Sequence, residues 1–226
     1  MKEKAISLLK QIYESYSSNG IKAVYLYGSI LRDDFNPKTG DIDSIAIVDD
    51  STSMELEQKI RAELTAKMPE IKKFGLRLLY ESELKGGEAK GFLASVISPK
   101  SLILDLPNWE HVAGKQFIQS DFVSTLPTYR EAILSEVPEL RRHVNEDDYE
   151  YLVKKLAQIV DLCQRERGKK GLFLYSNLEY FSRGFPIEEK VVEAILEIRK
   201  NNYNSEVIRK HKNSIQEFVN YIYALS

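Results

Sequence analysis

The sequence predicts an α/β (α+β) fold: a small sheet domain flanked by helices over residues 1–125, followed by an all-helical domain over 126–226. Two observations carry this. Between residues 21 and 80, short β-branched and aromatic runs are separated by a segment of helical periodicity, the strand, helix, strand order of a sheet covered by helices. From Pro127 onward only helical periodicity is left.

The elements follow in order. Ala5, Leu8, Leu9, Ile12, Tyr13 and Tyr16 recur at helical spacing and predict an amphipathic first helix, stopped by Ser18, Asn19 and Gly20. IKAVYLY (21–27) suits a buried strand, ended by Gly28 and Ser29, and IDSIAIVDD (42–50) is the second strand. Thr52 and Glu55 form a capping-box pattern ahead of a helix that carries Leu56, Ile60 and Leu64. KFGLRLLY (73–80) predicts a third strand, Lys85-Gly86-Gly87 a turn, and SLILDL (101–106) an edge strand; NWEHVAGKQF (108–117) takes no assignment. After Pro127, YREAILSEVPELRRHV, YLVKKLAQIVDLC and LFLYSNLEYFSR are helical, as are the stretches around Ile187, Val191 and Ile195 and around Ile208, Ile215, Phe218 and Ile222. No fixed-period repeat or low-complexity tract interrupts them.

Bulk composition narrows the function classes. Of 226 residues, 43% are hydrophobic and 29% charged, enough for a sizeable core in one or two domains. With 32 basic and 34 acidic residues the net charge is -2, which argues against nucleic acid or an anionic membrane as partner. The single cysteine, Cys163, has no internal partner, no apolar run reaches the length of a membrane span, and the N-terminus lacks a leader's apolar core. A cytoplasmic setting is expected.

One constellation carries chemistry. Asp41 and Asp43 alternate with Ile42 at the mouth of the second strand, so both point to one face, roughly 6 to 7 Å apart at Cα. Carboxylates that close repel unless a cation lies between them, and magnesium, which takes oxygen ligands from carboxylates and phosphates together, resolves the repulsion. Gly28 lets the backbone approach a phosphate with no Cβ in the way, and Ser29 adds a hydroxyl. A helical turn over ILRD (30–33) would aim its first N–H groups at the same anion.

Leu26-Tyr27-Gly28-Ser29, a loop of about ten residues, then Gly40-Asp41-Ile42-Asp43-Ser44-Ile45 resembles the signature of the DNA polymerase β-like nucleotidyltransferase superfamily. The helical second half and NWEHVAGK are similar to stand-alone bacterial and archaeal members related to aminoglycoside nucleotidyltransferases. The resemblance implies a small mixed sheet, a magnesium ion and a nucleoside triphosphate, ATP being the one expected. It implies transfer of a nucleoside monophosphate to a hydroxyl of a small, aminoglycoside-like molecule in the cleft between domains, with release of pyrophosphate. Asp41 and Asp43 then hold the metal and act in catalysis, and Gly28 and Ser29 hold the β- and γ-phosphates.

The superfamily usually has a third carboxylate on a later strand. Here the matching stretch is GLRLL (75–79), and its polar position is Arg77. Two-metal chemistry is thereby in question. Glu81 and Glu83, just beyond that strand, either supply a general base, Glu81 being the one assigned, or are ordinary acids at a helix start. Arg32 either reaches a phosphate or pairs with Asp33 or Asp34 at the surface. Arg165, Arg167, Lys169 and Lys170 either close over a triphosphate or form a solvated helix end. His111, His143 and His211 lack metal-ligand spacing, and Trp109 and the tyrosines of LYSNLEY read as packing or as stacking surfaces.

Two functional readings result. The first is the magnesium-dependent transferase, with a homodimer left open. The second is a catalytically impaired nucleotide-binding or antitoxin-like member of the same superfamily, acting through a protein or RNA partner. Arg77 in place of a carboxylate favours it, whereas the helical half lacks the arginine and histidine motif of the associated toxin RNases. Nucleotide addition to RNA is a third possibility, weakened by the near-neutral charge.

Overall fold

Helix α1 (Lys2–Tyr16) forms on the predicted spacing and buries Ala5, Leu8, Leu9 and Ile12. The computed structural model describes residues 1–31, 35, 41–71, 73–86, 90, 98–145, 149–169, 178 and 186–224. They group into two compact units, Met1–Leu126 and Pro127–Ser226.

In the first unit, β1 (Ile21–Tyr27) and β2 (Ile42–Val48) run antiparallel. Helix α2 (Glu55–Lys67) returns the chain so that β3 (Phe74–Tyr80) lies parallel to β2, a pairing no tight hairpin could make. Strand β4 (Glu110–Gly114) adds antiparallel to β1, giving a mixed sheet in the order β3-β2-β1-β4. The sheet has two apolar faces, as its nearly continuous hydrophobic strands require. Val24, Leu26, Ala46, Val48, Leu76 and Leu78 pack with α1 and α2. Tyr25, Ile45, Ile47 and Leu79 pack with Leu102, Ile103, Leu106 and Trp109 on the other face.

Two sequence expectations fail here. SLILDL is not an edge strand: Pro99–Asp105 is helix α4, following the one-turn helix α3 (Glu81–Leu84). The Ser98 hydroxyl accepts the Ser101 N–H at 3.1 Å and Pro99 fills the first turn, so the cap settled an apolar run too short to declare its own period. The edge is β4, from the unassigned NWEHVAGKQF. Nor do Thr52 and Glu55 form a capping box. Thr52 donates its hydroxyl to the Asn19 carbonyl at 3.3 Å, tying down the β1 entry, and the Glu55 N–H turns to Ser53 Oγ instead.

Strand β3 is an edge strand yet buried along its whole length. Two carboxylates replace the missing neighbour. Glu57 on α2 accepts the Leu78 N–H at 3.0 Å, and Glu83 on α3 accepts the Tyr80 N–H at 2.8 Å and the Lys90 N–H at 2.7 Å. Arg61 pairs with Glu57 at 3.0 Å and Arg77 with Glu83 at 3.5 Å. An open backbone edge is thus closed by buried charge.

Among its described residues the second unit holds α5 (Tyr129–Asn145), α6 (Tyr149–Glu166), α7 (Pro186–Lys200) and α8 (Ser205–Ala224), each overlapping a predicted helical stretch, whereas LFLYSNLEYFSR lies outside the described residues except for Leu178. Helix α6 is buried on most sides, with Leu152, Val153, Leu156, Ile159 and Val160 inside. A buried Lys155–Glu136 pair at 2.7 Å joins α6 to α5. No helix among the described residues is long and apolar enough to cross a membrane.

Glu83→Ala strips two backbone N–H groups and Arg77 of a buried acceptor, and should cost about 3 kcal/mol in chemical denaturation. Burial raises the carboxyls of Glu57 and Glu83, outweighing the backbone N–H bonds that lower them. A carboxyl raised on folding stabilises the native state below its unfolded value, here 4.5, and that contribution is lost as pH climbs through the native value. The stability margin of wild type over Glu83→Gln in urea should therefore narrow as pH rises from 4.5.

Candidate functional site

The site grows from the end of β1. Gly28 takes φ of +75°, a left-handed conformation that turns the chain into the 3-10 turn Gly28–Leu31, which Ile30 anchors by burial. The Ser29 hydroxyl donates to the Asp41 backbone carbonyl at 2.9 Å. Turn and β2 entry are thereby clasped across the loop between them. The predicted turn thus begins two residues earlier than ILRD.

Register does the rest. Tyr27 pairs with Asp43 across β1 and β2, and Asp43 pairs with Gly75 across β2 and β3. A Cβ on Gly28 would meet Asp43 Oδ2 at 3.5 Å, and one on Gly75 would meet Asp43 Oδ1 at 3.9 Å. The Asp43 carboxylate therefore lies between two glycines that leave room on either side. Burial, and then the charge of Asp43, raises the Tyr27 phenol above its usual range. Trp109 packs its ring 6.1 Å from that of Tyr27 and 5.8 Å from that of Tyr25, so it is part of the wall and core on this face.

Asp41 supplies an oxygen of another kind. Its Oδ1 is shielded from solvent and accepts no hydrogen bond among the described residues. Buried acceptors are ordinarily satisfied, so this oxygen suits a cation. Two aspartates with glycine clearance form an all-oxygen donor set of the sort a hard divalent ion takes. Among the described residues no three His, Cys, Asp or Glu side chains converge on a common point. Asp41 and Asp43 are the residues at this corner that could hold such an ion, with the remaining oxygens left to a ligand.

Glu81 is not brought to this site. Strands β2 and β3 run parallel from Asp43 and Gly75, whereas Glu81 follows Tyr80, which pairs with Val48. The separation is roughly six residues of strand, or about 20 Å. There Glu81 pairs with Lys22 at 3.2 Å and Lys85 at 3.7 Å. Glu83 is spent on the β3 edge. A surface cavity of about 460 Å³ lined by Asp50, Thr52, Met54, Tyr80 and Lys90 opens at that same far end, away from the aspartates. Arg32, Asp33 and Asp34 lie outside the described residues.

The basic run of the second unit is neither a phosphate clamp nor a solvated helix end. Arg165 donates to Asp161 at 2.7 Å, Lys169 pairs with the same carboxylate, and Arg167 pairs with Glu188. Lys169 has no side-chain exposure. Lys170 and most of LYSNLEY lie outside the described residues. His211 bonds Glu197 at 2.7 Å and His143 stacks on Tyr151, both away from any ligand-like cluster among the described residues.

Sequence reasoning missed Gly75. A glycine inside a strand commonly marks a close approach, and here it is Asp43 that approaches.

Residues 6–93 match the nucleotidyltransferase domain family. That match falls within the first unit and agrees with the resemblance to the DNA polymerase β-like superfamily. The match spans the Gly-Ser turn, both aspartates and β3 of that unit. Across both units the fold is similar to that of spectinomycin adenyltransferase AAD(9) from Enterococcus faecialis, crystallised with ATP and spectinomycin. The TM-score is 0.58 at 14% identity, over 95% of this chain and 99% of that one. A search of curated protein sequences returned no match.

Gly28→Ala should cost about 1 to 2 kcal/mol for a left-handed residue with a Cβ, read from denaturant midpoints. Ser29→Ala should cost about 1 kcal/mol by freeing the β2 entry.

Proposed function

We propose that the chain is a magnesium-dependent nucleotidyltransferase that moves a nucleoside monophosphate from a nucleoside triphosphate, ATP first among them, to a hydroxyl of a small aminoglycoside-like molecule. The observation that supports it most is the clasp of Ser29 on Asp41, which brings the glycine turn beside the acidic pair. Gly28 and Ser29 cradle the β- and γ-phosphates, Arg32 reaches a phosphate from the loop that follows, and Asp41 and Asp43 hold the ion. When bound, magnesium neutralises phosphate charge and favours in-line displacement at the α-phosphorus. The protein's own part is to fix the two carboxylates and the phosphate tail on one rigid corner of the sheet, so that positioning and electrostatics supply the rate. The fold likeness to a protein crystallised with ATP and spectinomycin is consistent with the substrate class. The reading puts the protein in the cytoplasm, where Cys163, buried with its thiol pushed up to about 12, stays inert.

A second reading, a nucleotide-binding or antitoxin-like regulator without turnover, draws on one observation. On β3 the residue opposite Asp43 is Gly75 and not a carboxylate, Arg77 two residues on is bound to Glu83, and Glu81 stands at the other end of the sheet.

Incubation with each labelled triphosphate, magnesium and a panel of aminoglycosides, proteins and RNAs separates the two. The transferase releases pyrophosphate with a small-molecule acceptor, and Asp41→Ala or Asp43→Ala lowers that rate by about a thousandfold or more. Nucleotide binding with no transfer to any acceptor selects the regulator.

A further inference from the structure

Tyr27 is fixed at the aspartate corner by three neighbours. It is the last residue of β1, directly before the left-handed Gly28, and it stands opposite Asp43 in the β1–β2 register. Directly opposed residues of an antiparallel pair share a face, with Cβ atoms about 5 Å apart, and their side chains stand roughly perpendicular to the sheet. The Trp109 ring, 6.1 Å from that of Tyr27, gives the phenol a wall to pack on. A tyrosine side chain is longer than an aspartate, so the Tyr27 hydroxyl reaches past the level of the Asp43 carboxylate on the same face.

That hydroxyl is left over. Tyr27 is half-buried, yet its hydroxyl makes no hydrogen bond among the described residues. The other tyrosines of the sheet are satisfied: the Tyr25 hydroxyl accepts the Phe117 N–H at 2.8 Å, and the Tyr80 hydroxyl donates to the Thr52 carbonyl at 3.1 Å. A phenol titrates at about 10 and keeps its proton at neutral pH, so Tyr27 offers a donor. Tyrosine hydroxyls in partly buried places usually find a partner. In the proposed function the turn that follows Tyr27 takes the β- and γ-phosphates and the aspartates take the ion. The part of the nucleotide beside Asp43 that neither holds is the junction of α-phosphate and ribose. We infer that the Tyr27 hydroxyl donates a hydrogen bond to a nucleotide oxygen at that junction. The inference rests on the nucleotide-binding reading of the Gly-Ser and aspartate corner.

The test compares wild type with Tyr27→Phe, which keeps the ring against Trp109 and removes only the hydroxyl. Equilibrium dialysis with magnesium measures α,β-methylene ATP, its 2′,3′-dideoxy form and, by competition, inorganic pyrophosphate. Tyr27→Phe should weaken α,β-methylene ATP about tenfold, the scale of one hydrogen bond to a ligand, and leave pyrophosphate within about twofold. If the dideoxy form binds both proteins alike, the partner is a ribose hydroxyl; if it too loses about tenfold, the partner is on the α-phosphate. Equal affinity of the two proteins for α,β-methylene ATP overturns the inference while leaving nucleotide binding intact. So does an equal loss on pyrophosphate, which would mark a disturbed corner and not a lost contact. No binding of either ligand to wild type overturns the underlying reading and the inference with it. The urea midpoint of Tyr27→Phe should match that of wild type, because the free protein gives the hydroxyl no partner among the described residues. A lower midpoint, or failure to fold, would assign the hydroxyl a structural partner and overturn the inference.

Discussion

The register of β1 against β2 is the constraint on which the site depends. Tyr27 stands opposite Asp43, so the residue that follows β1, Gly28, lies beside that carboxylate, and its left-handed φ of +75° is what calls for glycine there. Slipping that pairing by one residue would send Asp43 to the face packed by α1 and α2. The apolar residues that share its face, Ile45 and Ile47, hold the register by burying against Leu102, Ile103 and Leu106. The chemistry at the strand mouth is therefore set by packing further along the same strands.

Strand β3 answers two demands at once. As an edge strand it needs its outward N–H groups satisfied, and Glu57 and Glu83 do this from two different helices. As the neighbour of β2 it must leave room for the Asp43 carboxylate, and it does so at Gly75. The Glu83 carboxylate that closes the edge also fixes the Arg77 guanidinium, two residues further along β3.

Much of this was legible in the sequence, for identifiable reasons. Short β-branched and aromatic runs located β1, β2 and β3, and helical spacing located α1 and the helices of the second unit, since long periodic segments report their own burial. The Gly-Ser and Asp-x-Asp spacing located the corner now seen clasped by Ser29. What was missed is what depends on contacts between distant segments. SLILDL is six residues with no readable period, and only the Ser98-Pro99 start announced its helix. Glu81 sits close to the site in a strand diagram that ignores direction. Parallel pairing of β2 with β3 sends it to the far end. The basic run from Arg165 to Lys169 could not disclose its partners, because Asp161 lies on the preceding turns of α6 and Glu188 at the start of α7.

That last arrangement bears on how the second unit can be watched. The Lys169 ammonium is sealed from solvent against Asp161, which also takes the Arg165 guanidinium. An amine-directed reagent such as an anhydride must reach the nitrogen, and this one is out of reach while the helices stay closed. Its rate of modification, compared with that of an open lysine such as Lys210 on α8, is thus an intrinsic clock for the breathing of the helical unit.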